Sequence, residues 1–367
     1  MKKYTLNLFI SLCMISLWLT CKYGYSQANH PIDQQNRTVV DASGKTVAIP
    51  QAVNRIVVTC QGGAAHEISV LGAAQRIVAQ PSMKSFPQLL KMYPCFNTVS
   101  DAGSFDIVNL ERIMVLKPDI VVASVYAMQG NKRIEEMGVP VVTVNTGRAD
   151  IDRLLLEFRI MGKILGEEKT ADALVQYWND RLGMIQKRIA FIPETRKKRV
   201  FYTSSGASRT ITVEGDLGWG HYFITASGGI DVSVSRNVKT AGGAVNREQL
   251  LIWNPDVMIT RRDGDSQNPV GAIQGDPRFW SIKAVKNNAV YPCPIGAFWW
   301  DRPSPEAILG IMWLAKTLYP EAMADIDVKK ETKWFFKRFY HYSLTEEEYA
   351  SFGVEIDSKR AGREVDQ

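Results

Sequence analysis

Short apolar runs without polar alternation recur along the chain and predict buried strands. They lie at residues 55–59, 76–79, 118–123 and 140–144 in the first half, and at 199–203, 256–260 and 289–292 in the second. Segments with helical periodicity separate most of them. Strands that are buried on both faces and separated by helices are typical of parallel sheets. The pattern predicts an α/β fold with two Rossmann-like lobes.

Helical periodicity dominates the stretch between these two sets of strands. Residues 151–165 carry apolar side chains at helical spacing, and Gly166 is suited to end that helix. A second helical pattern covers residues 167–191 and stops before Pro193. At 1.5 Å per residue it would span roughly 37 Å. We therefore expect one long helix to join the lobes, with a ligand cleft between them. The alternative is a packed helix within one large domain.

These patterns predict five segments along the chain. They are a signal peptide at 1–28, an N-terminal α/β lobe at 38–165, a connecting helix at 166–192, a C-terminal α/β lobe at 198–325 and a helical tail at 326–367.

The N-terminus has the pattern of an export signal. Lys2 and Lys3 precede an apolar stretch at 6–19, and Ser26-Gln27-Ala28 provides a small-residue cleavage site. The apolar stretch is shorter than the ~20 residues that span a bilayer comfortably. We expect cleavage near Ala28 and a periplasmic protein. A retained membrane anchor or a buried first helix is the alternative.

Lipid anchoring at Cys21 is a second possible outcome of export. It is less favoured because Trp18-Leu19-Thr20 lacks the small residue usually found before a lipidated cysteine. Cys60, Cys95 and Cys293 remain in the mature chain, so at most one internal disulfide forms. The sequence leaves their disulfide state open.

Composition and charge exclude several functional classes. The 367 residues are 46% apolar and 22% charged, as in ordinary globular proteins. Removing Lys2, Lys3 and Lys22 with the signal lowers the formal net charge from +6 to +3. Such a small excess, without a basic helix, does not indicate nucleic-acid binding. We also find no C-x-x-C, G-x-S-x-G, P-loop, G-x-G-x-x-G or H-E-x-x-H motif, so no catalytic residue is predicted.

The two halves share one sequence element. Val108-Asn109-Leu110-Glu111-Arg112-Ile113 precedes Lys117-Pro118-Asp119, and Val245-Asn246-Arg247-Glu248-Gln249-Leu250 precedes Asn254-Pro255-Asp256. In both, a glutamate near the start of a short helix lies seven residues before the proline of Pro-Asp. A buried strand then follows. Pro-Asp alone is ordinary turn chemistry, but the same spacing in both halves indicates a repeated structural unit.

These residues resemble the periplasmic binding proteins of iron-siderophore, haem and cobalamin importers, across roughly residues 38–325. Residues 37–50 look like that family's opening hairpin, and Glu67 to Ala73 resembles its "E-x-x-x-x-L-G-A" helix. Gly228-Gly229-Ile230-Asp231 stands where relatives often have "G-G-x-N", with Asp231 as a departure.

The resemblance implies a role for the two repeated glutamates. In that family they dock against arginines of the membrane permease, and by position they are Glu111 and Glu248 here. One carboxylate per lobe suits bidentate contact with arginine. The alternative is a pair of solvated glutamates that interact favourably with the helix dipole.

In open α/β sheets, ligands bind beyond the carboxyl ends of the strands. The loops expected to face the cleft are residues 60–63, 124–128, 204–206, 218–222 and 298–302. The second of them contains Tyr126.

The loop at 298–302 is the most informative. Relatives place an aromatic and an arginine here against the ligand, which implies that Trp300 and Arg302 stack on a chelate and pair with its oxygens. Adjacent side chains point in different directions, so we expect one of Trp299 and Trp300 in the core and the other at the ligand. Alternatively, Trp299 packs in the core and Arg302 pairs with Asp301 or Glu306.

Trp219, His221 and Tyr222 form a second aromatic and polar cluster, bounded by glycines. His221 could ligate a metal or bond to the ligand, although a lone histidine is more often structural. Only His66 and His221 are placed for a cleft. Because a bare Zn²⁺ site usually gathers several histidines and carboxylates, a complexed metal is favoured over a free ion.

We therefore expect an exported substrate-binding component of an ABC importer that binds a metal chelate and delivers it to the permease. A ferric siderophore is the leading cargo, and haem, cobalamin and nickel or cobalt chelates remain open. No cofactor is expected, and the chain is predicted to be a monomer. An extracytoplasmic sensor or an enzyme on the same fold is the alternative.

Overall fold

The computed structural model describes residues 37–61, 63–146, 149–203, 211–234, 241–261 and 269–355. The predicted signal peptide, Cys21 and the loop at 204–206 lie outside these ranges. Within them, no helix combines the length and the apolar character needed to span a membrane. No disulfide joins the three cysteines at 60, 95 and 293.

The N-terminal lobe alternates strands and helices. Its elements are β1 (Arg37–Val40), β2 (Thr46–Ile49), β3 (Ile56–Val58), α1 (Ala64–Val70), β4 (Ile77–Ala79), α2 (Pro87–Met92), β5 (Gly103–Ser104), β6 (Ile107–Val108), α3 (Leu110–Leu116), β7 (Ile120–Ser124), α4 (Met128–Glu136) and β8 (Val141–Val144). Strands β4, β3, β7 and β8 pair in that order, all parallel. The residues of β3 and β7 are all buried, which explains their continuous apolar sequence.

Two helices lead from the first lobe to the second. They are α5 (Ile151–Leu165) and α6 (Glu168–Ile189). The predicted stop at Gly166 is confirmed, because this residue ends α5 in the left-handed conformation at φ 72°. With 22 residues, α6 is about 33 Å long.

The C-terminal lobe repeats the arrangement of the first. Its elements are β9 (Arg199–Thr203), β10 (Ile211–Gly215), α7 (Trp219–Ala226), β11 (Ile230–Asp231), β12 (Ala241–Val245), α8 (Arg247–Trp253), β13 (Val257–Thr260), α9 (Pro269–Gln274), α10 (Lys283–Lys286), β14 (Val290–Pro292) and α11 (Ala307–Leu318). Strands β11, β9, β13 and β14 form a second parallel sheet. The predicted α/β fold with two lobes is confirmed.

Matching contacts tie the repeated element to the sheet in each lobe. The Asp119 carboxylate accepts a hydrogen bond from the backbone N–H of Arg55, at 2.8 Å, and Arg55 itself bonds to the last carbonyl of α3. In the second lobe Asp256 accepts from the N–H of Arg199 at 2.9 Å, and Arg199 bonds to the last carbonyl of α8. The aspartate of each Pro-Asp pair therefore fixes the start of the neighbouring strand.

The tail forms α12 (Val328–Phe339) and α13 (Glu346–Ser351). It contacts α6, where Arg181 pairs with Glu331 at 3.0 Å. It also contacts the N-terminal lobe, where Lys91 pairs with Glu348 at 2.5 Å. The tail thus packs against more than the lobe that precedes it in sequence.

Candidate ligand site between the lobes

The loops at the carboxyl ends of the strands meet across the two lobes. His66 of α1 places Nε2 at 2.9 Å from the carbonyl oxygen of Ala297, in the loop after β14. Beside it, a Cβ added to Gly63 would lie 2.8 Å from the carbonyl oxygen of Pro303. The absence of a side chain at Gly63 therefore allows the two backbones to approach closely.

An aromatic cluster lines this junction and takes members from both lobes. The rings of His66 and Phe298 have centroids 4.3 Å apart, and Phe86 of the first lobe lies 5.0 Å from Phe298. Phe86 also contacts Trp299 edge-to-face at 4.7 Å. Such pairs add to the energy of apolar burial, so the junction between the lobes is held by aromatic packing.

The two adjacent tryptophans have different environments. Trp300 is completely buried and donates its indole N–H to Oε2 of Glu306 at 3.1 Å. Trp299 is half-buried and contacts Phe86. The structure thus assigns Trp300 to the core, and this burial leaves it no face on which to stack a chelate.

Arg261, which sequence analysis did not select, lies next to Trp299. It directly follows β13, and its guanidinium carbon is 5.2 Å from the centroid of the Trp299 ring. Its Nε is buried and has no hydrogen-bond partner among the described residues. A guanidinium that packs against an aromatic ring and has an N–H group without a hydrogen-bond acceptor is suited to bind an anion.

Arg302 already has an acidic partner. Its Nη1 lies 2.5 Å from Oε1 of Glu214 in β10, and both side chains are less than one-fifth exposed. The other carboxylate oxygen of Glu214 accepts the backbone N–H of Gly220 at 3.0 Å. Neighbouring Asp301 accepts a hydrogen bond from the Tyr202 hydroxyl at 2.9 Å. Among the described residues, the carboxylate found paired with Arg302 is thus that of Glu214.

The second predicted cluster is divided between the core and the surface. Trp219 is completely buried and packs against Trp178, which leaves it no face for stacking. His221 is half-buried, with Nδ1 at 3.3 Å from Oδ2 of Asp231, the residue that departs from the family pattern. Tyr222 is also half-buried.

Tyr222 and Tyr126 remain accessible. Burial raises the pKa of Tyr222, and the negative charge of Asp150 raises it further. Asp150 immediately precedes α5. Because Tyr222 interacts with Asp150, it lies near the junction of the two lobes. Tyr126 follows β7 and is 50% exposed. Among the described residues no group of three or more His, Cys, Asp or Glu side chains is arranged to hold a metal ion.

A pair of buried carboxyl groups lies behind the junction. Glu67 of α1 and Glu157 of α5 lie close enough to interact electrostatically, and the backbone N–H of Asn145 donates to Glu157 at 2.6 Å. Burial raises the pKa of Glu157 to about 7. Burial and the charge of Glu157 raise the pKa of Glu67 well above its ordinary value. The pair therefore holds a proton near neutral pH.

Glu111 and Glu248 occupy equivalent places on α3 and α8. Both are exposed and lie in the first turn of their helices. Asn109 caps one helix by accepting from the N–H of Arg112 at 2.9 Å, and Asn246 caps the other by accepting from Gln249 at 2.8 Å. Each lobe thus presents one carboxylate on a capped helix.

Comparison with known proteins gives a consistent assignment. The profile of a family described as "Periplasmic binding protein" matches residues 57–295. The chain is 26% identical to the molybdate-binding protein MolA of Haemophilus influenzae over 337 residues, which covers 84% of this chain and 92% of the relative. It is 27% identical to the substrate-binding lipoprotein YvrC of Bacillus subtilis over 297 residues, with coverage of 78% and 87%.

Solved structures show the same similarity. A periplasmic solute-binding protein from Veillonella parvula superimposes with a TM-score of 0.74 and 27% sequence identity, covering 86% of this chain and 96% of that protein.

Proposed function

Because the chain belongs to the periplasmic binding protein family, as the substrate-binding component of an ABC transporter and not an enzyme, we propose that its cargo is an anionic metal complex bound between the two lobes. The protein works outside the cytoplasm, together with a membrane permease. Export through the signal peptide, with cleavage near Ala28, is part of the proposal.

The environment of Arg261 is the observation that carries this proposal. Its guanidinium faces the Trp299 ring, and its buried Nε has no hydrogen-bond partner among the described residues. An anion there would gain charge-assisted hydrogen bonds in a partly desolvated setting. Arg302, by contrast, is compensated by Glu214. We therefore assign the primary anion contact to Arg261 and a supporting place to Arg302.

The accessible aromatic side chains complete the proposed site. Trp299 would provide a flat surface against the ligand, with Tyr126, His221 and Tyr222 at the edges of the junction. Trp219 and Trp300 would support the site from the core, because they are fully buried.

A ferric siderophore remains the first cargo to test, since a ferric chelate with negatively charged oxygens suits an arginine beside an aromatic ring. Haem, cobalamin and nickel or cobalt chelates are the alternative cargoes. Molybdate is a second candidate, favoured by the similarity to a relative named as molybdate-binding. Molybdate and a ferric chelate with negatively charged oxygens both present oxygen acceptors to a cation, so Arg261 has the same role for either.

Delivery would use the carboxylates on the outer surface. Glu111 and Glu248 are both exposed on capped helices of the same design. We propose that each contacts an arginine of the permease, one per lobe, and that the binding protein acts as a monomer.

Ligand titration followed by tryptophan fluorescence tests the cargo proposal. The mature protein is titrated with ferric siderophores, haem, cobalamin, nickel chelates and molybdate. Saturable binding of one of these compounds is expected, and Arg261→Ala should weaken it by about tenfold or more. Arg278→Ala is the matched control, because that arginine is exposed and paired with Asp276.

Two results would contradict the proposal. One is a folded protein that binds none of these compounds. The other is unchanged affinity in Arg261→Ala together with a large loss in Arg302→Ala, which would move the anion contact to the arginine selected from sequence.

A further inference from the structure

The helices α3 and α8 share more than their glutamates. In each helix, the side chain three positions after the first helical residue packs in the core. These side chains are Ile113 and Leu250, and both are completely buried. Both helices end in a left-handed residue, Lys117 at φ 46° and Asn254 at φ 41°. The two helices are therefore oriented alike on their sheets, with corresponding residues facing solvent.

Each helix exposes a pair of apolar side chains beside its glutamate. Met114 and Val115, three and four residues after Glu111, are 48% and 71% exposed. Residues three and four apart lie next to each other on a helix surface. A carboxylate and two apolar groups thus form one continuous outer face of α3.

The same face occurs on α8. Leu251 and Ile252 follow Glu248 by three and four residues and are 38% and 75% exposed. Single exposed apolar residues are ordinary on protein surfaces. Two equivalent pairs, at the same positions of two capped helices and in different lobes, need a common explanation.

We propose that Met114 with Val115, and Leu251 with Ile252, form two apolar docking patches for the permease, one on each side of the cleft. This inference rests on the proposed docking role of Glu111 and Glu248, which it extends. The partner would present an arginine next to an apolar side chain at two places, matching the two lobes. The carboxylates would provide orientation and the apolar pairs would exclude water around the ion pairs.

The arrangement fits the physical requirements of such an interface. An exposed ion pair alone contributes little, because water and salt screen it. Apolar neighbours that exclude water around a charged contact raise its contribution to binding. A protein that must release its partner after each delivery also needs small patches, since large apolar interfaces are typical of permanent complexes.

Photo-crosslinking in cells that produce this chain and its importer tests the inference. A benzophenone amino acid replaces Val115, Ile252 or, as a control, Phe191, which is 88% exposed and follows α6. Crosslinked products are identified by mass spectrometry. We expect the same ABC permease at positions 115 and 252 and not at 191. The double substitution Glu111→Lys and Glu248→Lys should abolish both crosslinks.

The outcomes distinguish the proposed apolar patches from the docking role proposed for Glu111 and Glu248. If charge reversal stops uptake but no permease is captured at 115 or 252, the apolar patches are wrong and the glutamate contacts stand. If charge reversal leaves uptake unchanged and no permease is captured, both fail. Equal capture at 191 would overturn the patches as specific contacts. Ligand titration of each variant shows whether cargo binding is intact.

Discussion

The indole N–H of Trp300 donates to the buried carboxyl group of Glu306, 3.1 Å away, and this contact anchors the loop that carries Trp299. Glu306 also accepts the backbone N–H of Ala297 at 3.1 Å and the hydroxyl of Tyr340, from the tail, at 2.7 Å. One carboxyl group therefore joins the loop that carries Trp299 to the C-terminal tail.

Glu306→Ala should lower the free energy of unfolding by about 3 kcal/mol or more, because it leaves three buried donors without an acceptor. Glu306→Gln retains an acceptor oxygen and should lose less, while Tyr340→Phe should cost about 1 kcal/mol. Urea unfolding of the three variants measures these differences. Equal stability of Glu306→Ala and Glu306→Gln would show that these hydrogen bonds contribute little.

Stability should decrease with rising pH because of the buried pair Glu67 and Glu157. The pKa of Glu157 is raised from its ordinary value of 4.5 to about 7 in the folded protein. Between these values the unfolded chain has lost a proton that the folded protein still holds, so unfolding becomes more favourable. Burial and the charge of Glu157 also raise the pKa of Glu67 well above its ordinary value, so Glu67 adds to this loss.

Glu67→Gln should reduce this pH dependence. The amide is close in size and shape to the protonated acid, but it has no proton to lose. We expect wild type and variant to be equally stable at pH 5, and the variant to be more stable at pH 8 by on the order of 2 kcal/mol. Urea unfolding at both pH values measures this. Glu111→Gln, at an exposed position, should show no such difference, and parallel curves for wild type and Glu67→Gln would contradict the assignment.

Gly63→Ala should disturb the junction between the lobes. Its backbone φ is −69°, so alanine is allowed conformationally, but the added Cβ would lie 2.8 Å from the Pro303 carbonyl oxygen. We expect a loss of about 1–3 kcal/mol in stability from this overpacking, with weaker ligand binding. Thermal unfolding and the fluorescence titration measure the two effects.

Gly183→Ala is the matched control for that substitution. Gly183 lies within α6, and apart from its chain neighbours and the adjacent helix backbone nothing lies within 4 Å of the position that a Cβ would take. Alanine there should raise stability by about 0.5–1 kcal/mol through helix propensity. Destabilisation by both alanines would argue against a specific contact at Gly63.

The buried strands could be predicted from sequence because parallel strands covered on both faces are continuous apolar runs. The predicted runs at 55–59 and 199–203 contain β3 and β9. The antiparallel pairs β5–β6 and β10–β12 were not predicted. The first has only two residues per strand, and β12 contains Gly242-Gly243, which carry no apolar pattern.

The proposed ligand site was less accessible to sequence reasoning because it depends on contacts between residues that are far apart in the sequence. Arg261 gave no local signal, since an arginine after a strand is usually solvated, and its contact with Trp299 appears only in the fold. Arg302 looked available because its partner Glu214 lies 88 positions away. The glutamates at 111 and 248 stood out only because their surroundings are repeated.

Anomalous X-ray scattering from crystals of the protein with its bound metal complex tests the central claim most directly. Data collected at the absorption edge of the metal locate that atom without assumptions about the ligand. We expect a single strong peak between the lobes, next to Arg261 and the Trp299 ring. A peak elsewhere, with no ligand atom in contact with Arg261, would contradict the proposed site.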